Sequence, residues 1–231
     1  MRRRYHGVLC GFVAALALGP GSAAAQSISS PYRFLDTRHA ATVFGGYLAT
    51  GRGALELGPR SGPILGVRYD LGISGPFVLE AELGWFAKNR AVQDTMPGDT
   101  TRTSPGDADF RAITVQAGLR FNITGARTWH GVLPYALFAG GITTDGADVG
   151  GTDAALPADV RFNFGTRFTG VLGGGLEWFP AHGTGIRLDG RMLLWKLKTP
   201  APFLRGDQVN VLPSEQWTRN LSLTAGIVVR F

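Results

Sequence analysis

Ten charged residues of this chain stand at spacings that suit an extended backbone. Arg68 and Asp70, Glu80 and Glu82, and Arg187, Asp189 and Arg191 are each separated by one residue, while Arg120, Glu177 and Arg230 sit singly among apolar neighbours. In a strand, residues two apart point to the same side, so these groups share faces rather than alternate between them. Five arginines against five carboxylates can neutralise one another in a confined space, and that is the expected chemistry. The alternative is a polar pathway, or a carboxylate of perturbed acidity put to functional use.

Nucleophilic and metal chemistry have poorer material. A hydrolase needs a Ser, Cys or His with a base and an orienting group in reach, and a zinc site needs His or Cys ligands. Of the four histidines, His6 lies near the N-terminus, His39 stands ahead of the first expected strand, and His130 and His182 fall in short turns; the one cysteine, Cys10, is in an N-terminal apolar run. No catalytic residue, metal or other cofactor is expected. Gly173, Gly174 and Gly175 in VLGGGLEWF resemble a phosphate loop only superficially, because no helix and no Lys or Ser/Thr signature follows. They are expected to give neighbouring arginines room or to bend a strand.

The elements that must hold these charges have period two. Stretches of about ten residues alternate in polarity, as bilayer-crossing strands do: Ala41 to Thr50, Pro63 to Ile73, Phe77 to Asn89, Phe110 to Ile123, Val132 to Thr144, Phe168 to Pro180, Thr184 to Lys198 and Trp217 to Phe231. The pattern predicts an all-β protein, an eight-stranded antiparallel up-and-down transmembrane β-barrel over residues 41–231. Connections alternate long and short. Thr50 to Gly62, Arg90 to Ala108, Asp145 to Arg167 and Thr199 to Gln216 are long and polar, whereas Ser74 to Pro76, Thr124 to Gly131 and Ala181 to Gly183 are short. In outer-membrane barrels the short turns are periplasmic and the long loops external.

Alternation also assigns faces. Leu65, Val67, Tyr69, Leu71 and Ile73 oppose Arg68 and Asp70; Leu79, Ala81 and Leu83 oppose Glu80 and Glu82; Ile113, Val115, Leu119 and Phe121 oppose Gln116 and Arg120. The charged faces belong inside. In the first and fifth strands Phe44, Leu48, Phe138 and Ile142 compete with Val43, Tyr47, Leu137 and Tyr135 for the lipid face. Trp85, Trp195 and Trp217 are expected in an outer aromatic girdle, and Phe77, Phe121, Trp178 and Phe231 in a periplasmic one. Turn geometry sets partners: Ile73 facing Phe77 puts Arg68 opposite Glu82, and Pro180 facing Thr184 puts Glu177 opposite Arg187. Asp70 then faces Glu80, and Arg120 on the next strand is the expected cation between them. Lys88, Arg90, Lys196, Lys198 and Arg205 are expected at the outer rim, at the level of lipid phosphates.

Residues 1–25 read as an export signal, with Arg2, Arg3 and Arg4, an apolar run from Val8 to Leu18 and the small-residue site Ala23-Ala24-Ala25. Without those three arginines, 20 of the 23 basic residues remain against 17 acidic ones, a formal charge of +3 instead of +6. No nucleic-acid partner is expected. Residues 26–40, with Tyr32, Phe34 and Leu35, are expected to lie against the periplasmic mouth as an ordered segment, since they are too apolar for a loose tail.

With a final strand that alternates to GIVVRF, the chain resembles the small eight-stranded outer-membrane barrels of Gram-negative bacteria, the OmpA-like and OmpW-like group. The resemblance implies an outer-membrane location, contact with outer-membrane lipid and lipopolysaccharide, and assembly with periplasmic chaperones and the barrel-assembly machinery, for which Phe231 is the signal. It also implies a monomer. The expected role is structural or surface interaction through external loops around an occluded lumen; a narrow channel or transporter for a small polar or hydrophobic solute is the alternative.

Overall fold

A computed structural model of the chain describes residues 30–94, 103–148, 151–180, 183–204 and 212–231. The expected signal, His182 and Arg205 lie outside the described residues. Two short strands, β1 (Tyr32–Phe34) and β6 (Arg127–Trp129), accompany eight longer ones: β2 (His39–Ala49), β3 (Gly62–Ser74), β4 (Phe77–Asp94), β5 (Thr103–Asn122), β7 (Val132–Asp145), β8 (Thr166–Trp178), β9 (Thr184–Lys198) and β10 (Glu215–Arg230). The long strands pair antiparallel in the order β7-β5-β4-β3-β2-β10-β9-β8, and β7 pairs with β8. That last pairing closes the sheet into a barrel and removes both edges.

Closure requires every long strand to have one face that packs and one that does not, and the alternation supplies it. On β3, Leu65, Val67, Tyr69 and Ile73 are exposed while Ile64, Arg68 and Asp70 are buried. Across the whole wall the outward set is large and apolar, including Leu79, Leu83, Ile113, Val115, Leu119, Leu172, Leu188, Leu221 and Ile227. A continuous apolar exterior of this extent is not a water-facing surface; it suits the hydrocarbon of a bilayer. The two ambiguous strands divide evenly. Val43, Tyr47, Phe138 and Ile142 face out, and Phe44, Leu48, Tyr135 and Leu137 face in.

The β3–β4 turn is tight. Gly75 has φ of +54° in the β3–β4 turn, a region open to glycine without strain. Ser74, not Ile73, pairs with Phe77, because a bulge between Gly72 and Ser74 absorbs one residue before the regular register resumes. The expected partners above it are therefore unchanged. At the same end, the connection expected as a plain turn from Thr124 to Gly131 contains β6, joined to β7 through His130 and Gly131, both at positive φ, with Trp129 opposite Val132. Two positive-φ residues in a two-residue loop are the pattern of a type I′ hairpin.

β1 pairs with β6, from Tyr32↔Trp129 to Phe34↔Arg127. Leu35 then packs against Ala40, Leu133, Phe179 and Val228 in the mouth of the barrel. His39, expected ahead of the first strand, is the first residue of β2.

At the other end the described residues of the segment expected as a loop from Arg90 to Ala108, 90–94 and 103–108, are strand. β4 runs to Asp94 and β5 starts at Thr103, with Arg90↔Ala108 and Val92↔Gly106 in register. Its Gly, Pro, Thr and Asp content is that of a loop, yet pairing across the hairpin satisfies the backbone, and Val92 and Ala108 add buried apolar surface.

Candidate functional site

The interior has three tiers, set by parity and register. Nearest the short turns lies the charge network. Arg68 Nε donates to Glu82 Oε2 at 2.5 Å and its Nη1 to Asp189 Oδ2 at 3.0 Å. Arg120 Nη1 reaches Asp70 at 3.1 Å and Glu177 at 2.6 Å. Arg187 donates to Asp70 at 3.0 Å, Glu80 at 2.5 Å and Asp189 at 2.7 Å, with Glu177 3.6 Å away. Arg191 meets Glu80 at 2.7 Å, Glu82 at 2.8 Å and Asp189 at 2.9 Å, and Arg230 meets Glu177 at 2.6 Å. All ten residues thus form one connected set, every one of them buried or nearly so.

Two features of the set differ from expectation. The cation that holds Asp70 beside Glu80 is Arg187, which reaches both; Arg120 contacts Asp70 but turns its other bond to Glu177. Arg120 is nearer along the sheet, but Arg187 comes from the opposite wall, where its length lets the guanidinium enter between the two carboxylates. The second feature is Tyr135. Its hydroxyl donates to Asp189 Oδ2 at 2.5 Å and accepts from Arg187 Nε at 2.8 Å, and its ring has the guanidiniums of Arg120 and Arg187 each 4.7 Å from its centre. Such a ring stabilises two like charges held near each other. The sequence signal was present, since Tyr135 shares parity with Leu133 and Leu137, but a tyrosine suits either face.

Glycine makes room for this packing. A Cβ at Gly175 would stand 2.6 Å from the Tyr135 hydroxyl and 2.1 Å from the Leu188 carbonyl, and one at Gly173 would stand 2.9 Å from Cγ of Arg191. Gly175 lies opposite Tyr135, and Gly173 opposite Arg191.

The middle tier is uncharged and polar: Thr114, Gln116, Asn220 and the pair Thr143–Thr169, whose hydroxyls are 2.7 Å apart. Gln116 is buried, and neither atom of its amide has a hydrogen-bond partner among the described residues.

The third tier seals the end with the longer connections. Phe86, Phe110, Phe164 and Trp195 form a file of edge-to-face rings with centroids 6.2, 5.2 and 5.9 Å apart. Leu55 and Leu57, Leu156, Val160 and Phe162, and Phe203 and Leu212 fold in from three connections to cover it. Trp195, expected in the lipid girdle, is therefore a core residue with 1% of its surface exposed. It has the parity of Arg187, Asp189 and Arg191 on the same strand, and parity outweighs the preference of tryptophan for interfaces. Arg90, expected at the solvated rim, is likewise buried: it pairs with Asp153, donates to the Phe162 carbonyl at 3.2 Å and ties that connection to β4.

The other residues expected in the girdles face outward. Trp85 and Trp217 lie toward the long connections; Phe77, Phe121 and Trp178 lie toward the short turns, with the Phe77 and Phe121 rings 5.6 Å apart edge to face. Phe231 follows β10, exposed, its ring stacked on His39 at 6.0 Å and its amide donating to the His39 carbonyl at 2.9 Å. Lys88 and Lys198 are exposed, and Lys196 pairs with Glu215 at 3.1 Å. Among the described residues no group of His, Cys, Asp and Glu is arranged to hold a metal ion.

No family model and no curated protein matches the sequence. Solved structures do. Neisserial surface protein A aligns with a TM-score of 0.52 at 13% identity, over 87% of this chain and 98% of that one. The outer-membrane protein OprG of Pseudomonas aeruginosa aligns at 0.47 with 11% identity, over 84% and 97%, and the attachment invasion locus protein Ail of Yersinia pestis at 0.36 with 15% identity, over 84% and 99%. Closure through β7 and β8, an apolar exterior, a charged interior and the likeness to neisserial surface protein A agree on one fold: the chain is an eight-stranded antiparallel up-and-down barrel of the kind found in small outer-membrane proteins.

Proposed function

We propose that the protein is an outer-membrane barrel that does not conduct, and that it acts as a structural and surface-interaction protein through the longer connections at its outer end. The single observation that carries this reading is the continuous filling of the lumen, from Arg230 and Glu177 at the short-turn end to Phe164 and Trp195 at the other. An eight-stranded barrel has an interior just wide enough for side chains to fill. Here five arginines and five carboxylates fill one end with paired charge, uncharged polar side chains fill the middle, and aromatic and aliphatic residues fill the other end. Catalysis has no place in this reading.

Planar-bilayer recording of the refolded full chain tests it. Wild type gives no steady open level. Glu177→Ala removes the shared partner of Arg120 and Arg230, and together with Arg187→Ala, and with Phe164→Ala and Trp195→Ala in the seal at the other end, it opens a water-filled passage that conducts. Large, steady channels in wild type, unaffected by these substitutions, would favour a channel or transporter instead.

A further inference from the structure

The residues after β1 cross the mouth of the barrel at the short-turn end and leave a cavity beside them. The Leu35 amide donates to the Ala126 carbonyl at 3.0 Å, and the Arg38 carbonyl accepts from the Gly72 amide at 2.7 Å, so this segment is tied to the β5–β6 connection and to β3. Between it and the β3–β4 turn lies a cavity of about 370 Å³. Asp36 and Arg38 line its exposed part; Asp70, Arg120, Asn122 and Arg230 line its inner part, the first three of them buried.

The charge network is incompletely paired where it meets this cavity. Asp70 Oδ2 accepts from Arg120 and Arg187, whereas Oδ1 accepts from no group among the described residues. Arg120 uses Nη1 for Asp70 and Glu177, and its Nε and Nη2 have no partner there. Arg230 bonds Glu177 through Nη2 and leaves Nε unpartnered, and Asn122 Oδ1 is a second acceptor without a donor. Buried polar atoms in this condition are costly and call for a partner. The Nε–H and Nη2–H groups of an arginine lie side by side on one edge of its plane, the fork that holds an oxyanion through two parallel bonds. Of the charged residues that line the cavity three are arginines and two are aspartates, so the balance favours an anion. The free acceptors add a second demand, that this anion carry a hydrogen.

We propose that the mouth cavity is a binding site for inorganic phosphate. Two phosphate oxygens occupy the Arg120 fork, with Arg230 and Arg38 beside them, and the phosphate O–H donates to the free Asp70 oxygen. The acceptors choose among oxyanions. Sulfate and phosphate diesters have no O–H at neutral pH, and a phosphate monoester, whose second ionisation falls at about pH 6, has largely lost its own. Inorganic phosphate keeps one. The cavity ends at the charge network, so the site is independent of what the longer connections at the other end bind.

The experiment is calorimetric titration of the refolded full chain in detergent, at neutral pH and fixed ionic strength in a buffer free of phosphate. Inorganic phosphate, sulfate and glycerol phosphate are the three titrants, and heat-dependent gel mobility checks the folding of each variant. Wild type binds phosphate saturably, about tenfold or more tighter than the other two, because each of those leaves a buried acceptor unpaired. Arg38→Gln, outside the network, weakens phosphate binding about threefold, the range of an exposed charge. Arg120→Lys keeps the charge but loses the fork, and weakens it further; should that variant fail to fold, Arg38→Gln and the comparison of anions still decide. Lys198→Gln at the far end changes nothing. Absence of a saturable phosphate signal means that water alone meets the free atoms, and overturns the site. Equal binding of phosphate and sulfate, or equal weakening by Arg38→Gln and Lys198→Gln, shows an unspecific attraction for anions and overturns it as well. Each of these results leaves the non-conducting reading, which bilayer recording tests, where it stands.

Discussion

Arg187 and Glu80 meet at 2.5 Å although three strands, β10, β2 and β3, lie between their own along the sheet. The bond crosses the lumen. It makes Arg187 the residue on which the network turns, since the same guanidinium bonds Asp70 and Asp189. Arg187→Met leaves Asp70 facing Glu80 with no cation between them, and is expected to lower stability by about 3–5 kcal/mol. Arg187→Lys recovers only part of this, because one ammonium cannot reproduce a planar fork shared among several carboxylates. Urea unfolding of the barrel in detergent or lipid checks both. A loss of under about 1 kcal/mol for the Met variant, as for a solvent-exposed pair, would mean that water occupies the lumen.

The middle tier offers the opposite experiment. Gln116 is buried with an unpartnered amide, and an unmade hydrogen bond on a buried group costs about 1–3 kcal/mol. Gln116→Met, of similar length and without that requirement, is expected to raise the unfolding free energy by about 1 kcal/mol or more. In a hydrated lumen the same change destabilises, so its sign reports whether the middle of the barrel is dry.

Gly175 is a packing requirement. Gly175→Ala puts a methyl 2.1 Å from the Leu188 carbonyl on the paired strand and 2.6 Å from the Tyr135 hydroxyl. Overpacking of this kind costs about 1–3 kcal/mol and occasionally more. Gly140→Ala, whose Cβ has no neighbour nearer than 3.6 Å, is the control and is expected to be near neutral. Thermal unfolding, followed by the loss of gel-mobility shift, separates the two; equal midpoints would show that the β8–β9 backbone and the Tyr135 side chain both give way freely.

Fluorescence distinguishes inside from outside. A variant keeping only Trp195 is expected to resist quenching by bromine-labelled lipid, whereas variants keeping only Trp85 or Trp217 are quenched strongly, because Trp195 is enclosed by Phe164 and the folded-in connections. Strong quenching of the Trp195-only protein would return that residue to the girdle and empty the outer tier.

Strand count, direction and the sidedness of most side chains belong to the sequence, because alternation is a local property with period two and a charged face cannot meet lipid. The pairs Arg68↔Glu82 and Glu177↔Arg187 were legible for the same reason: few residues separate the paired strands, and even the bulge at the β3–β4 turn left the register above it intact. The faces of β2 and β7 were not legible, since both sides of those strands are apolar and only closure decides which one packs. Tyr135 belongs to that open set, and its role is decided by Arg187 and Asp189 across the lumen. Trp195 and Arg90 were read by the habits of their residue types; parity with Arg187 already placed Trp195 inside, whereas Arg90 is placed by the connection that folds over the mouth. Sequence spacing reports neighbours along a strand and across one turn. Contacts such as Arg187 with Glu80, or Arg90 with Asp153, depend on how eight strands close and how their connections return, and that geometry exists only in the assembled barrel.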